Sequence, residues 1–74
     1  MPTIDIPATG DNIKAMCLDN HITVKNIQAA CGFTTGNAVY KWLKGICLPT
    51  IDNMVILATL FHTTIDQIIV IKTI

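Results

Sequence analysis

The sequence predicts an all-α domain of five short helices, with a small two-stranded sheet formed by its two ends. Three observations point there. Apolar residues recur at helical spacing in short runs, and each run is bounded by a capping residue or a glycine. The residues outside those runs, at both ends, are extended and β-branched. Seventy-four residues supply one hydrophobic core and not a second, so residues 1–74 are expected to be a single domain.

The elements follow in order. Thr9 is a good N-cap, Asp11 favours the positive end of a helix, and Ile13, Met16 and Cys17 then recur at helical spacing until Asn20 and His21. Thr23 caps a second helix whose buried stripe is Val24, Ile27, Ala30 and Cys31, with Lys25, Gln28 and Ala29 facing away. Gly32 stands where a left-handed residue ends a helix. The third helix is expected over 35–45, with Thr35 as cap, Gly36 at its first position and Gly45 as its stop. On it Val39, Trp42 and Leu43 share one face, and Asn37, Tyr40, Lys41 and Lys44 share the other. Leu48-Pro49-Thr50 turns the chain into a fourth helix from Ile51 to about Phe61, and Thr64 with Gln67 reads as a capping box opening a fifth. Thr3-Ile4-Asp5-Ile6 and Ile69 to Ile74 are expected to pair as the sheet.

Composition narrows the function classes. The chain is 51% hydrophobic and 14% charged, which is a folding composition. Its longest near-continuous apolar run, Met54 to Phe61, is too short for a membrane span, and Met1 to Pro7 lacks the features of a secretory signal, so a cytoplasmic location is expected. Cys17, Cys31 and Cys47 are an odd set without a close pair, which argues for reduced thiols. Cys17 and His21 lie four apart on a helix, but no second pair completes a metal site; a core thiol beside a surface imidazole is the better reading. There is no glutamate, and His21 and His62 have no partner at a catalytic spacing, so neither an enzyme nor a cofactor, metal or small-molecule ligand is expected.

The charge distribution says more than the net charge of zero. Between Asn20 and Ile51 lie Lys25, Lys41 and Lys44 and no carboxylate, a segment of +3; all five aspartates lie outside it. A positive middle segment is what a phosphate backbone requires. That segment contains TVKNIQAACGFTTGNAVYKWLKG, residues 23–45: a capped helix, a glycine-containing turn and a second amphipathic helix. The spacing fits a helix-turn-helix, in which the second helix enters the major groove.

On these features the chain resembles the Cro/repressor type of helix-turn-helix domain, also called the xenobiotic-response-element type, from Thr9 to about Ile69. The matching residues are Gly10 and Ile13, Ile22-Thr23, Gly32-Phe33-Thr34, Tyr40-Lys41-Trp42 and Gly45, Leu48-Pro49, Leu57-Ala58, and Thr64-Ile65-Asp66. The run Thr35 to Trp42 is similar to that of short bacterial regulators of this type, with Gly36 in the place of a proline and Asn37 in the place of a glutamine. The resemblance implies a five-helix lambda-repressor-like fold, double-stranded DNA as partner, and a sequence-specific transcriptional regulator in the bacterial cytoplasm.

The residues expected at DNA are Thr23, Lys25, Gln28, Thr34, Thr35, Gly36, Asn37, Tyr40, Lys41 and Lys44. Each has a plainer reading beside it. The lysines serve as phosphate contacts or as solubilising charges. Asn37 reads a base or solvates the helix start, since its amide presents both a donor and an acceptor to adenine. Tyr40 contacts phosphate or rests its ring on the core edge. The fourth helix carries apolar residues on nearly every face, more than a domain this small covers by itself. A homodimer through residues 51–61 and the C-terminal segment is therefore expected, its two recognition helices about 34 Å apart. The competing expectation is a protein-interaction module of the same fold that uses that apolar surface and whose DNA binding is weak or lost.

Overall fold

The computed structural model describes residues 1–74 and contains five helices and two strands. The helices are α1 (Ile6–Asn20), α2 (Val24–Cys31), α3 (Asn37–Leu43), α4 (Ile51–Leu60) and α5 (Ile65–Ile68). The strands β1 (Pro2–Ile4) and β2 (Ile71–Thr73) pair antiparallel, Pro2 opposite Thr73, Thr3 opposite Lys72 and Ile4 opposite Ile71. The two ends do meet as a sheet, though the C-terminal strand is shorter than expected, because Ile69 still closes α5 with its N–H on the Ile65 carbonyl. No helix is long and apolar enough to cross a membrane.

The core draws on every helix: Ile13 from α1, Ile27 from α2, Val39 and Trp42 from α3, Met54, Leu57 and Ala58 from α4 with Phe61 just beyond it, and Ile68 from α5. Full burial of an aliphatic or aromatic side chain contributes roughly 1.5–3 kcal/mol, so this cluster is the main source of stability. Phe33, in the turn before α3, sets its ring against Trp42 at 5.8 Å and 63°, an edge-on contact. Ala30, expected inside, is exposed, while Gln28, expected to face away, is half-buried. Ile27 is the one fully buried residue of α2, with Val24 and Cys31 packed partly against the core, so the buried stripe is centred on Ile27 and includes the adjacent Gln28 rather than Ala30.

Four helices end in one way. His21, Gly32, Gly45 and His62 all adopt the left-handed conformation. After each, the next residue's N–H returns to the helix: Ile22 to Cys17, Phe33 to Gln28, Ile46 to Lys41 and Thr63 to Ala58. This closes the carbonyls that a helix terminus leaves open.

The first helix starts four residues earlier than expected. Asp5 is its N-cap, accepting from the Ala8 N–H at 3.0 Å, and Pro7 sits in the first turn, where a missing N–H costs nothing. Thr9 is then inside α1 and fully buried. Its hydroxyl has a different task. The Asp5 carbonyl turns into α1, accepting from the Thr9 N–H, so it no longer faces Val70 across the sheet; the Thr9 hydroxyl accepts from the Val70 N–H at 3.0 Å instead. Asn12 completes the junction by donating to the Gln67 and Ile68 carbonyls, both at 2.9 Å. Thr9→Val keeps the shape and removes the acceptor. It is expected to cost about 1–3 kcal/mol, the penalty of an unsatisfied buried N–H, and to raise hydrogen exchange selectively at Val70 and β2.

Candidate nucleic-acid interface

Helix α2 owes its position to a complete capping box. The Asn26 N–H donates to the Thr23 hydroxyl oxygen at 3.2 Å, and the Thr23 N–H donates to the Asn26 side chain at 2.8 Å. The Thr23 hydroxyl also donates to Asn26 at 2.9 Å. Thr23 is exposed, but its polar atoms are already engaged in holding the helix.

Helix α3 begins at Asn37, and Gly36, not Thr35, is its N-cap. No side chain caps it in the usual way; the Thr35 hydroxyl accepts only a long bond, 3.4 Å, from the Asn37 N–H. Gly36 has no side-chain oxygen to offer, and it is held close to its neighbours: a methyl added there would stand 3.2 Å from both the Tyr40 ring and Val24. Tyr40 thus lies over the start of its own helix and remains half-exposed. The other end of α3 is clamped. Gly10 of α1 faces the Trp42 and Leu43 carbonyls, and Gly45 faces Pro7. The helix is fixed by its C-terminal turn and presents a lightly held N-terminal turn to solvent.

The face so presented is continuous. Asn37, Tyr40, Lys41 and Lys44 are all exposed, and with Ile46 they line a shallow hollow of about 340 Å³. A second hollow, about 460 Å³, is lined by Phe33, Thr34, Thr35, Asn37, Ala38, Lys41 and Cys47. Asn37 and Lys41 belong to both. Of the ten expected contact residues the structure gathers six here: Thr34, Thr35, Asn37, Tyr40, Lys41 and Lys44. Gly36 lies beside them under Tyr40. Thr23, Lys25 and Gln28 are on or before α2 and line neither hollow; Lys25 is exposed and Gln28 half-buried.

Sequence reading missed Ala38, Phe33, Ile46 and Cys47 at this surface. Ala38 follows Asn37 in the first turn of α3 and was open to inspection there. The other three depend on how the flanking turns fold back.

No carboxylate lines either hollow. Asp52, five residues beyond Cys47 in sequence, stands at the start of α4 and takes a hydrogen bond from the Thr50 hydroxyl. That bond, aided by the backbone N–H groups of Asn53 and Asp52, holds its carboxyl below the usual range, so it is ionised at neutral pH. Thr50 therefore caps α4 by its backbone position only; its side chain serves Asp52. Likewise the box expected at Thr64 and Gln67 does not form: Thr64 is the N-cap without a side-chain bond. All three cysteines are free. Burial pushes the Cys17 thiol up, and burial followed by the Asp52 charge pushes Cys31 up, so both remain protonated near pH 7.

Compared with known proteins, the chain matches no family model, no curated protein and no solved structure.

Proposed function

We propose that this domain is a sequence-specific DNA-binding regulator of lambda-repressor-like fold that acts as a homodimer and places α3 in the major groove. The observation that supports this best is the α3 surface itself. It joins a side-chain amide, hydroxyls and two lysines on one exposed, carboxylate-free face, at the free N-terminal end of a helix braced by another. An amide at the first helical position reads a base edge, and lysines one and two turns on meet the flanking phosphates. Lys25 on α2 adds a phosphate contact in this arrangement, giving about six per dimer.

Six contacts correspond to a log–log dependence of affinity on salt with slope about −5. Fluorescence anisotropy on a labelled duplex across a salt series measures it. Lys41→Ala, which empties a position shared by both hollows, is expected to reduce the slope by about 2 for the dimer. A slope near zero for the native chain contradicts the proposal.

A second reading has its own support. Ile51 and Val55, one turn apart on α4, are 72% and 52% exposed, and Leu18 on α1 is 75% exposed. These fit a protein-interaction module, and a salt-independent chain that still associates with another protein through α4 follows from that reading.

A further inference from the structure

The two hollows on the α3 face differ in their floors. The smaller one is lined only by exposed residues, Asn37, Tyr40, Lys41, Lys44 and Ile46, and its two ammonium groups suit the sugar-phosphate backbone. In the larger one, burial sorts the lining into two levels. Thr34, Thr35, Asn37 and Lys41 are exposed and form a polar rim; Phe33, Ala38 and Cys47 are half-buried, pack against the core and form the floor. Three separate pieces of chain meet there. Phe33 comes from the turn before α3, with its ring set edge-on against Trp42 at 5.8 Å. Ala38 stands in the first turn of α3. Cys47 follows Ile46, whose N–H returns to the Lys41 carbonyl at 3.0 Å and folds the chain back beside the helix. The floor thus presents a ring, a methyl group and a sulfur, with no hydrogen-bonding group stronger than a thiol.

A floor of this kind is selective among base edges. In the major groove the bases present donors and acceptors, and the apolar group among them is the C5-methyl of thymine. A donor or acceptor pressed onto the floor would give up its water without a partner, whereas a methyl group gives up only unfavourable hydration. The rim selects the same base pair. An amide such as Asn37 pairs with N6 and N7 of adenine, and the thymine opposite carries its methyl on the same groove edge. We infer that the larger hollow is a thymine-reading subsite, in which Phe33, Ala38 and Cys47 receive the C5-methyl of a thymine in or next to the A·T pair read by Asn37. The subsite rests on the DNA-reading function proposed above and extends sequence discrimination from α3 to the turns on either side of it. Loss of one buried methyl corresponds to about fourfold in affinity, and a dimer with two subsites to about 15-fold.

Uracil differs from thymine by that methyl alone, so uracil substitution tests the subsite. In the duplex that the native chain enriches from a random pool, each thymine is replaced by uracil at symmetric positions of both half-sites, and affinity is measured by fluorescence anisotropy. One such pair of positions is expected to weaken binding about 15-fold. Cytosine placed there is expected to bind poorly, and 5-methylcytosine to regain the share that belongs to the methyl. Cys47→Ser and Ala38→Ser each put a hydroxyl on the floor; the thymine-to-uracil ratio is expected to fall to about 4 or less in either variant, with the salt slope unchanged. Thermal melting reports whether each variant folds, and the two substitutions lie on different pieces of chain, so one suffices if the other unfolds. A native chain that stays sequence-specific but binds every uracil duplex as tightly overturns the subsite alone. A ratio undiminished in the folded variants also overturns it, since the methyl is then read elsewhere. A native chain that enriches no sequence overturns the DNA-reading function itself, and the subsite with it.

Discussion

Gly10→Ala is expected to destabilise the domain by about 3 kcal/mol or more, the upper range of overpacking. The added methyl would lie 2.4 Å from the Trp42 carbonyl oxygen, 3.1 Å from that of Leu43 and 3.2 Å from the Gly45 N. All three are backbone atoms, so no side chain can turn aside to make room. Relief requires α1 and the C-terminal turn of α3 to separate, which also breaks the contact of Gly45 with Pro7, one turn before Gly10 on the same helix. Small domains hold about 5–15 kcal/mol in total, and one of this length belongs at the lower end. At ~4–8 °C per kcal/mol, a fall in melting temperature of at least about 12 °C follows. Gly32→Ala is the comparison. Nothing lies within 4 Å of the new methyl, and the only cost is the left-handed backbone at φ 74°, about 1–2 kcal/mol. A scan of both variants by circular dichroism checks the ranking.

On the proposed function the same contact has a second consequence. Gly10 and Gly45 let α1 approach the end of α3 at backbone distance, so they set the angle at which α3 stands out. A variant that survives with α3 displaced loses the alignment of Asn37 and Lys41 even though neither residue has changed.

Much of this architecture is legible in the chain. Thr23 and Gly32 bracket α2 because capping chemistry acts within a few residues, and the α3 face can be read because a helix repeats every 3.6 residues. What is not legible depends on partners distant in sequence. Thr9 has the form of an N-cap, yet its hydroxyl answers a backbone N–H on Val70, and only the closed sheet creates that need. Asp5 as the true cap is hidden by Pro7, which looks like a breaker and is tolerated only in the first turn. The ends of α1 and α4, expected at Asn20-His21 and near Phe61, are closed by His21 and His62 in the left-handed conformation, in which histidine is enriched. Thr64 and Gln67 have the right spacing for a box that does not form, because a one-turn helix is held by Ile68 in the core and needs no side-chain cap. At the α3 surface, the lysines and Asn37 are visible in the sequence, while the floor of the hollows is made by turns that bring Phe33, Ile46 and Cys47 beside them.

Asn37 carries the second large effect. It is the exposed first residue of α3 and lines both hollows, so it is the side chain best placed to meet a base edge. A bidentate amide–adenine pair contributes about 1–3 kcal/mol of discrimination, and a dimer uses it twice, about 2–6 kcal/mol in all. Asn37→Ala leaves the lysines in place, so it should abolish preference between sequences and preserve the salt-dependent attraction to any duplex. The most direct test is selection of bound sequences from a random duplex pool at two salt concentrations, with the native chain and Asn37→Ala in parallel. A palindromic sequence enriched by the native chain and lost with Asn37→Ala is the predicted result. No enrichment by the native chain at low salt, or the same palindrome from both proteins, would contradict the assignment of α3 as the element that reads DNA.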